Sequence, residues 1–321
     1  MTARPVKLLF GGQYDRVLSL PAAGREVGLE IALQYLDGPK AAFEALSHDS
    51  AADGGEMSFS FYMTRRSQLK DRSDLVALPV WISRSFRQGN VWVAEDSDLH
   101  TVSDLAGTRV GLAEYGMTQA VWLRGTFEDE AGLKASDIRW FTGRDPASLS
   151  KDMVRLPEGV EITKADRSRP LLSQLPTGDL DAVITSAGLV PRPPGIRRLF
   201  TDHVAVEKDY YQRTGIFPIM HVFVLRREFV ESRPEDVALL YTALQKAKQT
   251  AVEKLLQPAV SYVTLPWTAA AAEEQIAMFG GDPWPYGVEA NLPTLTALRR
   301  YMSSQGLLWD DLPIDDYFAR I

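Results

Sequence analysis

Short apolar runs alternate along this chain with segments of helical spacing, and this alternation constrains the fold more than any other feature. Strands that take turns with helices pack as a parallel or mixed sheet with helices on its faces. The runs at 6–10, 29–35, 77–81, 90–94, 109–113, 137–141, 181–185 and 219–225 read as strands. Helical spacing covers 40–46, 117–130, 233–256, 269–279 and 292–305, with short helices at 102–107 and 170–175. The longest of these patterns begins beside Pro234, a residue suited to a helix's first turn. The segment 56–62 starts polar and becomes aromatic. The stretch 142–168 is polar and holds Pro146 and Pro157, so it reads as an irregular connection, and 189–194 as a proline-rich loop. There is no fixed-period repeat and no heptad run.

The pattern suggests two α/β lobes. Residues 1–96 plus 226–321 are expected to form one lobe and 97–225 the other, with chain crossings at 93–109 and 214–226. Two crossings make a hinged cleft. The length of 321 residues suits two domains that each bury a core.

Composition narrows the chemistry. The chain has no cysteine, so disulfides, thiolate metal sites and a cysteine nucleophile are all excluded. A net charge of −7 argues against a broadly basic nucleic-acid surface. No window approaches the roughly 20 apolar residues of a membrane span. The N-terminus reads as a strand and a glycine loop rather than a signal peptide. The expectation is therefore a cytoplasmic protein that binds neither nucleic acid nor membrane, with a homo-oligomer left open. No G-x-G-x-x-G follows a strand, and no P-loop, H-x-H or H-E-x-x-H is present. No cofactor is expected. A divalent metal held by His221 and distant carboxylates stays open.

Six motifs stand in order along the chain: GQYDR at 12–16, EMS at 56–58, SRSFR at 83–87, EYGMT at 114–118 followed by WLRG at 122–125, RTGIFPIMH at 213–221, and WPYGVEAN at 284–291. Together they resemble the 4,5-dihydroxyphthalate decarboxylase family, which is related to type II periplasmic binding proteins. The resemblance covers nearly the whole chain and is weakest over 142–169. It implies a two-lobed type II periplasmic-binding-protein-like α/β fold with a ligand cleft between the lobes. It also implies a small aromatic carboxylate as substrate. Each motif falls at a strand end or a strand-to-helix loop, where open α/β sheets place their ligands.

Aromatic decarboxylation sets the requirements for such a site. Protonating the ring carbon before CO2 leaves avoids a free aryl anion. A hydroxyl para to the departing group can feed electrons into the ring. The site then needs a cation for the retained carboxylate, a base for the phenol and an acid near the ipso carbon.

Arg16, Arg84, Arg87 and Arg124 lie inside the motifs and are candidate carboxylate clamps, because a guanidinium binds carboxylate bidentately. The plainer reading of each is a salt-bridge partner. Of the four histidines, His48, His100 and His203 sit in polar, loop-like settings. His221 is the acid/base candidate, against the alternative of a buried histidine satisfied by a carbonyl. Glu56 and Glu289 are candidate bases, and either could instead hold an arginine. Ser58, and Thr118 at the start of a helix, could present donors to an anion, although ordinary capping would also explain Thr118. Tyr14, Tyr115, Trp284 and Tyr286 could stack on an aromatic ligand or simply fill the core.

The resulting expectation is a cofactor-independent decarboxylase acting on 4,5-dihydroxyphthalate and releasing 3,4-dihydroxybenzoate and CO2. The alternatives are a solute-binding protein for a small carboxylate or aromatic ligand, and a related lyase acting on another ring acid.

Overall fold

The computed structural model describes residues 4–48, 52–143, 154–186, 192–257, 259–260 and 262–320. The strands in chain order are β1 (Val6–Phe10), β2 (Ile31–Tyr35), β3 (Gly54–Ser58), β4 (Leu75–Arg84), β5 (Val91–Ala94), β6 (Arg109–Leu112), β7 (Arg139–Thr142), β8 (Ile162–Lys164), β9 (Ala182–Ile184), β10 (Ile196–Arg198) and β11 (Ile219–Arg226). The helices are α1 (Asp15–Leu18), α2 (Leu20–Glu26), α3 (Pro39–His48), α4 (Phe59–Leu69), α5 (Thr118–Ala131), α6 (His203–Thr214), α7 (Arg227–Ser232), α8 (Pro234–Leu255), α9 (Thr268–Phe279) and α10 (Leu292–Ser304).

The strands form two sheets, ordered β2-β1-β3-β11-β4 and β10-β5-β9-β6-β7-β8. In the first sheet β1 runs parallel to β2 and β3, while β11 is antiparallel to both of its neighbours. In the second, β6 is parallel to β7 and β9, and β5 is antiparallel to β9 and β10. This is the two-lobed α/β architecture. The passage between sheets occurs at 85–90, because β5 already pairs in the second sheet. The return comes just before β11, which lies inside the first sheet between β3 and the edge strand β4.

Sequence and packing agree closely at the strands. β4 is apolar along nearly its whole length because both of its faces are covered. Its Pro79 is tolerated because β4 is an edge strand of this sheet. Gly55 has φ of 152°, and a Cβ there would lie 2.0 Å from the carbonyl oxygen of Leu9. Only glycine lets β3 lie this close to β1 in that conformation.

Helix α5 belongs to both cores. Val121 and Trp122 pack in the core of the first lobe, while Ala120, Leu123 and Phe127 pack in that of the second. Trp122 Nε1 donates to the Ile219 carbonyl at 2.9 Å, which ties α5 to the start of β11.

Several elements differ from the sequence expectation. The segment 56–62, polar at its start and then aromatic, is split between the end of β3 and the start of helix α4. His203 opens helix α6 and does not lie in a loop. The short helices expected at 102–107 and 170–175 are 3-10 turns. The polar stretch 142–168 contains strand β8, and its residues 144–153 lie outside the described residues, as do 189–191 of the proline-rich loop.

Candidate active site

Glu56 and His221 approach each other because of strand register. In the β3–β11 pairing, Glu56 stands opposite Phe223 and Ser58 opposite His221. Residues two apart on a strand share a face, so the Glu56 and His221 side chains emerge side by side. His221 Nδ1 lies 2.5 Å from Glu56 Oε1. The Tyr14 hydroxyl donates to the same oxygen at 2.7 Å, and the Gly11 N–H donates to Oε2 at 2.8 Å.

Glu56 is fully buried. Burial pushes its carboxyl upward, but hydrogen bonds from His221, Gly11 and Tyr14 outweigh this and hold it below the usual value. It is therefore an ionised acceptor. Nδ1 of His221 must carry the hydrogen, which leaves Nε2 as the reactive nitrogen. The Phe43 ring meets the imidazole edge-on, with centroids 5.0 Å apart, and fixes its plane. The His221 side chain keeps 18% of its surface exposed, so the ring is reachable. Burial and the Glu56 charge both raise the Tyr14 hydroxyl's pKa, so it stays protonated and remains a donor.

The ends of the two lobes meet beside this pair. Ser58 precedes α4, and Thr118 begins α5. Their hydroxyls are 3.1 Å apart, and Ser60 joins them through its own hydroxyl at 2.9 Å from Thr118 Oγ1. The Ser60 hydroxyl also donates to the Gly116 carbonyl at 2.7 Å. Neither α4 nor α5 is capped by its own N-cap side chain, and the Ser60 N–H in the first turn of α4 donates to Thr118 Oγ1 at 3.2 Å. Two helix N-termini with their dipoles aimed into one junction favour an anionic ligand.

Three of the four arginines have structural duties. Arg84 is buried; its NH1 donates to Asn291 Oδ1 and its NH2 to the Phe217 carbonyl, both at 2.8 Å. Burial lowers its pKa to about 9. Arg124 is buried on the Tyr115 ring and donates to Gln305 at 2.9 Å and to the Tyr115 carbonyl at 2.7 Å. Burial lowers its pKa to about 10. Arg16 Nε donates to the Ile82 carbonyl at 2.8 Å, and NH1 pairs with Asp15 at 2.9 Å. Its guanidinium lies between the Tyr14 and Trp284 rings, 4.8 and 4.5 Å from their centroids.

Arg87 differs from these. It sits on the connection after β4, and its Nε contacts Met220 Sδ at 3.0 Å. Burial lowers its pKa to about 10, offset in part by Glu207. Among the described residues no carboxylate lies within 4 Å of it, and its terminal nitrogens make no hydrogen bond. Its terminal nitrogens are left for a ligand, whereas the unpartnered donors of the other motif arginines, Arg84 Nε and Arg124 NH1, are sealed in the interior.

The aromatic candidates are also committed elsewhere. Tyr115 carries Arg124, Trp284 covers Arg16 and donates to the Trp81 carbonyl at 2.7 Å, and Tyr286 packs 4.9 Å from Lys248 Nζ. Each of these rings packs against a cation of the framework. Glu289 is exposed on a 3-10 turn, and the position that holds an arginine is Asn291, two residues later. Asn291 further donates to the Pro285 and Gly287 carbonyls at 2.8 and 2.9 Å. Sequence reasoning missed Asn291, Gln305, Ser60 and Phe43. Asn291 closes the last motif and Ser60 follows EMS directly; Gln305 and Phe43 carry no local signal.

Among the described residues no group of three His, Asp or Glu side chains could hold a metal ion, and no helix is long and apolar enough to cross a membrane.

Comparison with known proteins gives two related sequences. A 4,5-dihydroxyphthalate decarboxylase of Comamonas testosteroni is 31% identical over 306 residues, spanning 92% of this chain and 91% of that protein. A protein of the same name from Pseudomonas putida is 30% identical over 207 residues, spanning 63% of this chain and 79% of its own length. No protein-family model matches. The solved structure of the periplasmic aliphatic sulphonate binding protein SsuA from Escherichia coli covers 98% of both chains with a TM-score of 0.53 at 16% identity. That likeness speaks for the fold alone.

Proposed function

This chain belongs to the 4,5-dihydroxyphthalate decarboxylase family, and we propose that it converts 4,5-dihydroxyphthalate to 3,4-dihydroxybenzoate and CO2. Each carboxylate of that substrate has a hydroxyl para to it, so the ring can accept a proton at the ipso carbon. His221 in its protonated form gives the Nε2 proton to that carbon. The bond to the carboxylate then breaks, its electron pair restores the aromatic ring, and CO2 departs. His221 is left neutral with its Nδ1–H still donated to Glu56, and it regains the lost proton from solvent.

The observation that carries this reading is the 2.5 Å contact between His221 Nδ1 and the fully buried Glu56. A buried carboxylate that accepts from Nδ1 fixes which nitrogen faces outward. Glu56 is not free to take a phenolic proton, because both its oxygens already accept hydrogen bonds. Its role is to orient His221. Arg87 supplies the positive charge for the retained carboxylate, and the Ser58–Thr118 junction supplies hydroxyls and helix N-termini for the remaining polar groups.

The test is purified protein with 4,5-dihydroxyphthalate, followed by CO2 release and the change in ring absorbance. His221→Ala should abolish turnover and leave substrate binding largely intact. The competing reading, ligand binding without chemistry, draws on the fold likeness to a binding protein. It predicts tight binding by the wild-type chain with no CO2.

A further inference from the structure

We infer that Glu207 is a positioning residue for Arg87: it fastens the connection that carries this arginine to one face of α6, and so sets where the guanidinium meets a substrate carboxylate. The inference rests on the reading of Arg87 as the carboxylate clamp. Arg87 lies in the passage between the two sheets, after β4 and before β5, where no strand pairing holds the chain. On the side of the first sheet the Ser85 N–H still donates to the Pro218 carbonyl at 3.1 Å. Beyond Ser85 the backbone needs another hold.

Helix α6 supplies it. His203, Glu207 and Tyr211 are spaced four apart, so they share one face of that helix. All three meet the passage. Glu207 Oε1 accepts from the Gly89 N–H at 2.9 Å. The His203 ring fills the place of a side chain at Gly89, where a Cβ would lie 2.3 Å from its Cδ2. The Tyr211 ring meets Phe86 edge-on at 6.3 Å between centroids, and Phe86 stacks on Phe217 at 4.7 Å. The Gly89 carbonyl accepts from Arg198 Nε at 2.8 Å, so both polar groups of this buried glycine are engaged. The Asn90 N–H closes a turn onto the Arg87 carbonyl at 2.9 Å. Arg87 therefore stands between two fixed neighbours, Phe86 and Gly89. Glu207 holds the backbone without pairing with the guanidinium, which keeps the positive charge for a ligand. A carboxylate in direct contact would neutralise the clamp it positions.

The test is titration calorimetry of the full chain with phthalate. This probe has both carboxylates but lacks the para hydroxyls that let the ring take up a proton, so it is not consumed. Arg87→Ala should raise its Kd roughly 10–100-fold. Glu207→Gln and Glu207→Ala both lose the charge, and only the alanine variant loses the acceptor for Gly89. The ratio of their Kd values therefore reports position, and the alanine variant should bind roughly threefold or more weakly than the glutamine variant. In an Arg87→Ala background the two should agree within about twofold, a result that a general loss of packing would not give. Gly89→Ala drives the connection off the His203 ring and should also weaken binding, with His203→Ala in the same chain restoring it; this pair decides the matter even if Glu207→Ala misfolds. Equal Kd values for the two Glu207 variants, the same ratio without Arg87, or a wild-type chain that does not bind phthalate would overturn the inference. A wild-type chain that binds phthalate but releases no CO2 from 4,5-dihydroxyphthalate would sink the decarboxylase reading and leave these comparisons standing.

Discussion

Replacing Glu56 by Gln separates the charge of the buried partner from its shape. Three donors converge on the carboxylate: His221 Nδ1 and Tyr14 on Oε1, and Gly11 on Oε2. Glutamine has one acceptor oxygen. Turning its amide nitrogen toward Gly11 sets one donor against another, whereas the opposite turn sets two. The first arrangement prevails, so His221 keeps its hydrogen bond and its orientation while losing the negative charge. A hydrogen bond to a charged group contributes about 1.5–3 kcal/mol and a neutral one about 1, so the imidazolium that delivers the proton loses about 1–2 kcal/mol. Because the neutral ring left after each turnover must regain that proton before it can react again, kcat falls by at most roughly 5–30-fold. KM should stay within about threefold, because Glu56 does not touch the substrate in this scheme. The donor clash at Gly11 costs about 1–3 kcal/mol of stability in addition. The assay is initial rate against substrate concentration from the ring absorbance, with thermal unfolding run in parallel. A variant with wild-type kcat, or one whose loss lies entirely in KM, would refute the orienting role of Glu56.

The same carboxylate sets an acid limb of stability. Its folded pKa is below the ordinary 4.5, so the unfolded chain binds the extra proton first as pH falls. The stabilisation is complete above that ordinary value and disappears as pH drops through the folded one; urea midpoints measured across this range should fall with pH in the wild type and less steeply in Glu56→Gln. Asn291→Ala leaves Arg84 NH1 and two carbonyls without their partner, so it should cost about 2–4 kcal/mol in denaturant unfolding, and a Tm equal to wild type would show that Arg84 needs no brace. Lys70 has φ of 52° at the end of α4, a conformation that strains a side chain. Lys70→Gly should raise Tm by about 2 °C even after losing the exposed pair with Asp310, as calorimetry can check.

Strands were legible in the sequence where burial is continuous. The run at 6–10 coincides with β1 and that at 219–225 with β11, because an apolar run bounded by polar residues has one reading at that length. Helix α5 was legible for the same reason. Helix α6 was not: its sequence is mostly polar and it buries only Tyr210, so it shows no apolar stripe. The aromatic run at 59–63 carried no assignment from the sequence, and packing against both β3 and β11 makes it the start of helix α4.

The site was legible as a set of residue types but not as a set of partners. Arginine, histidine and glutamate in the motifs were visible, yet their roles depend on residues far away in the chain. Arg84 meets Asn291, Arg124 meets Gln305, and Arg16 meets the Ile82 carbonyl. Only sheet register brings Glu56 to His221, and a register cannot be read from either strand alone. The difference between Arg87 and the other three arginines is likewise a matter of which neighbours are already satisfied.

The account rests on a ring proton delivered as CO2 leaves. The direct measurement is turnover of 4,5-dihydroxyphthalate in D2O, with mass spectrometry of the aromatic product. The account predicts 3,4-dihydroxybenzoate carrying one deuterium at the vacated ring carbon, formed by the wild-type chain and lost in His221→Ala while that variant still binds the substrate. A wild-type chain that binds 4,5-dihydroxyphthalate and returns it unchanged, or a His221→Ala variant that turns over at the wild-type rate, would contradict it.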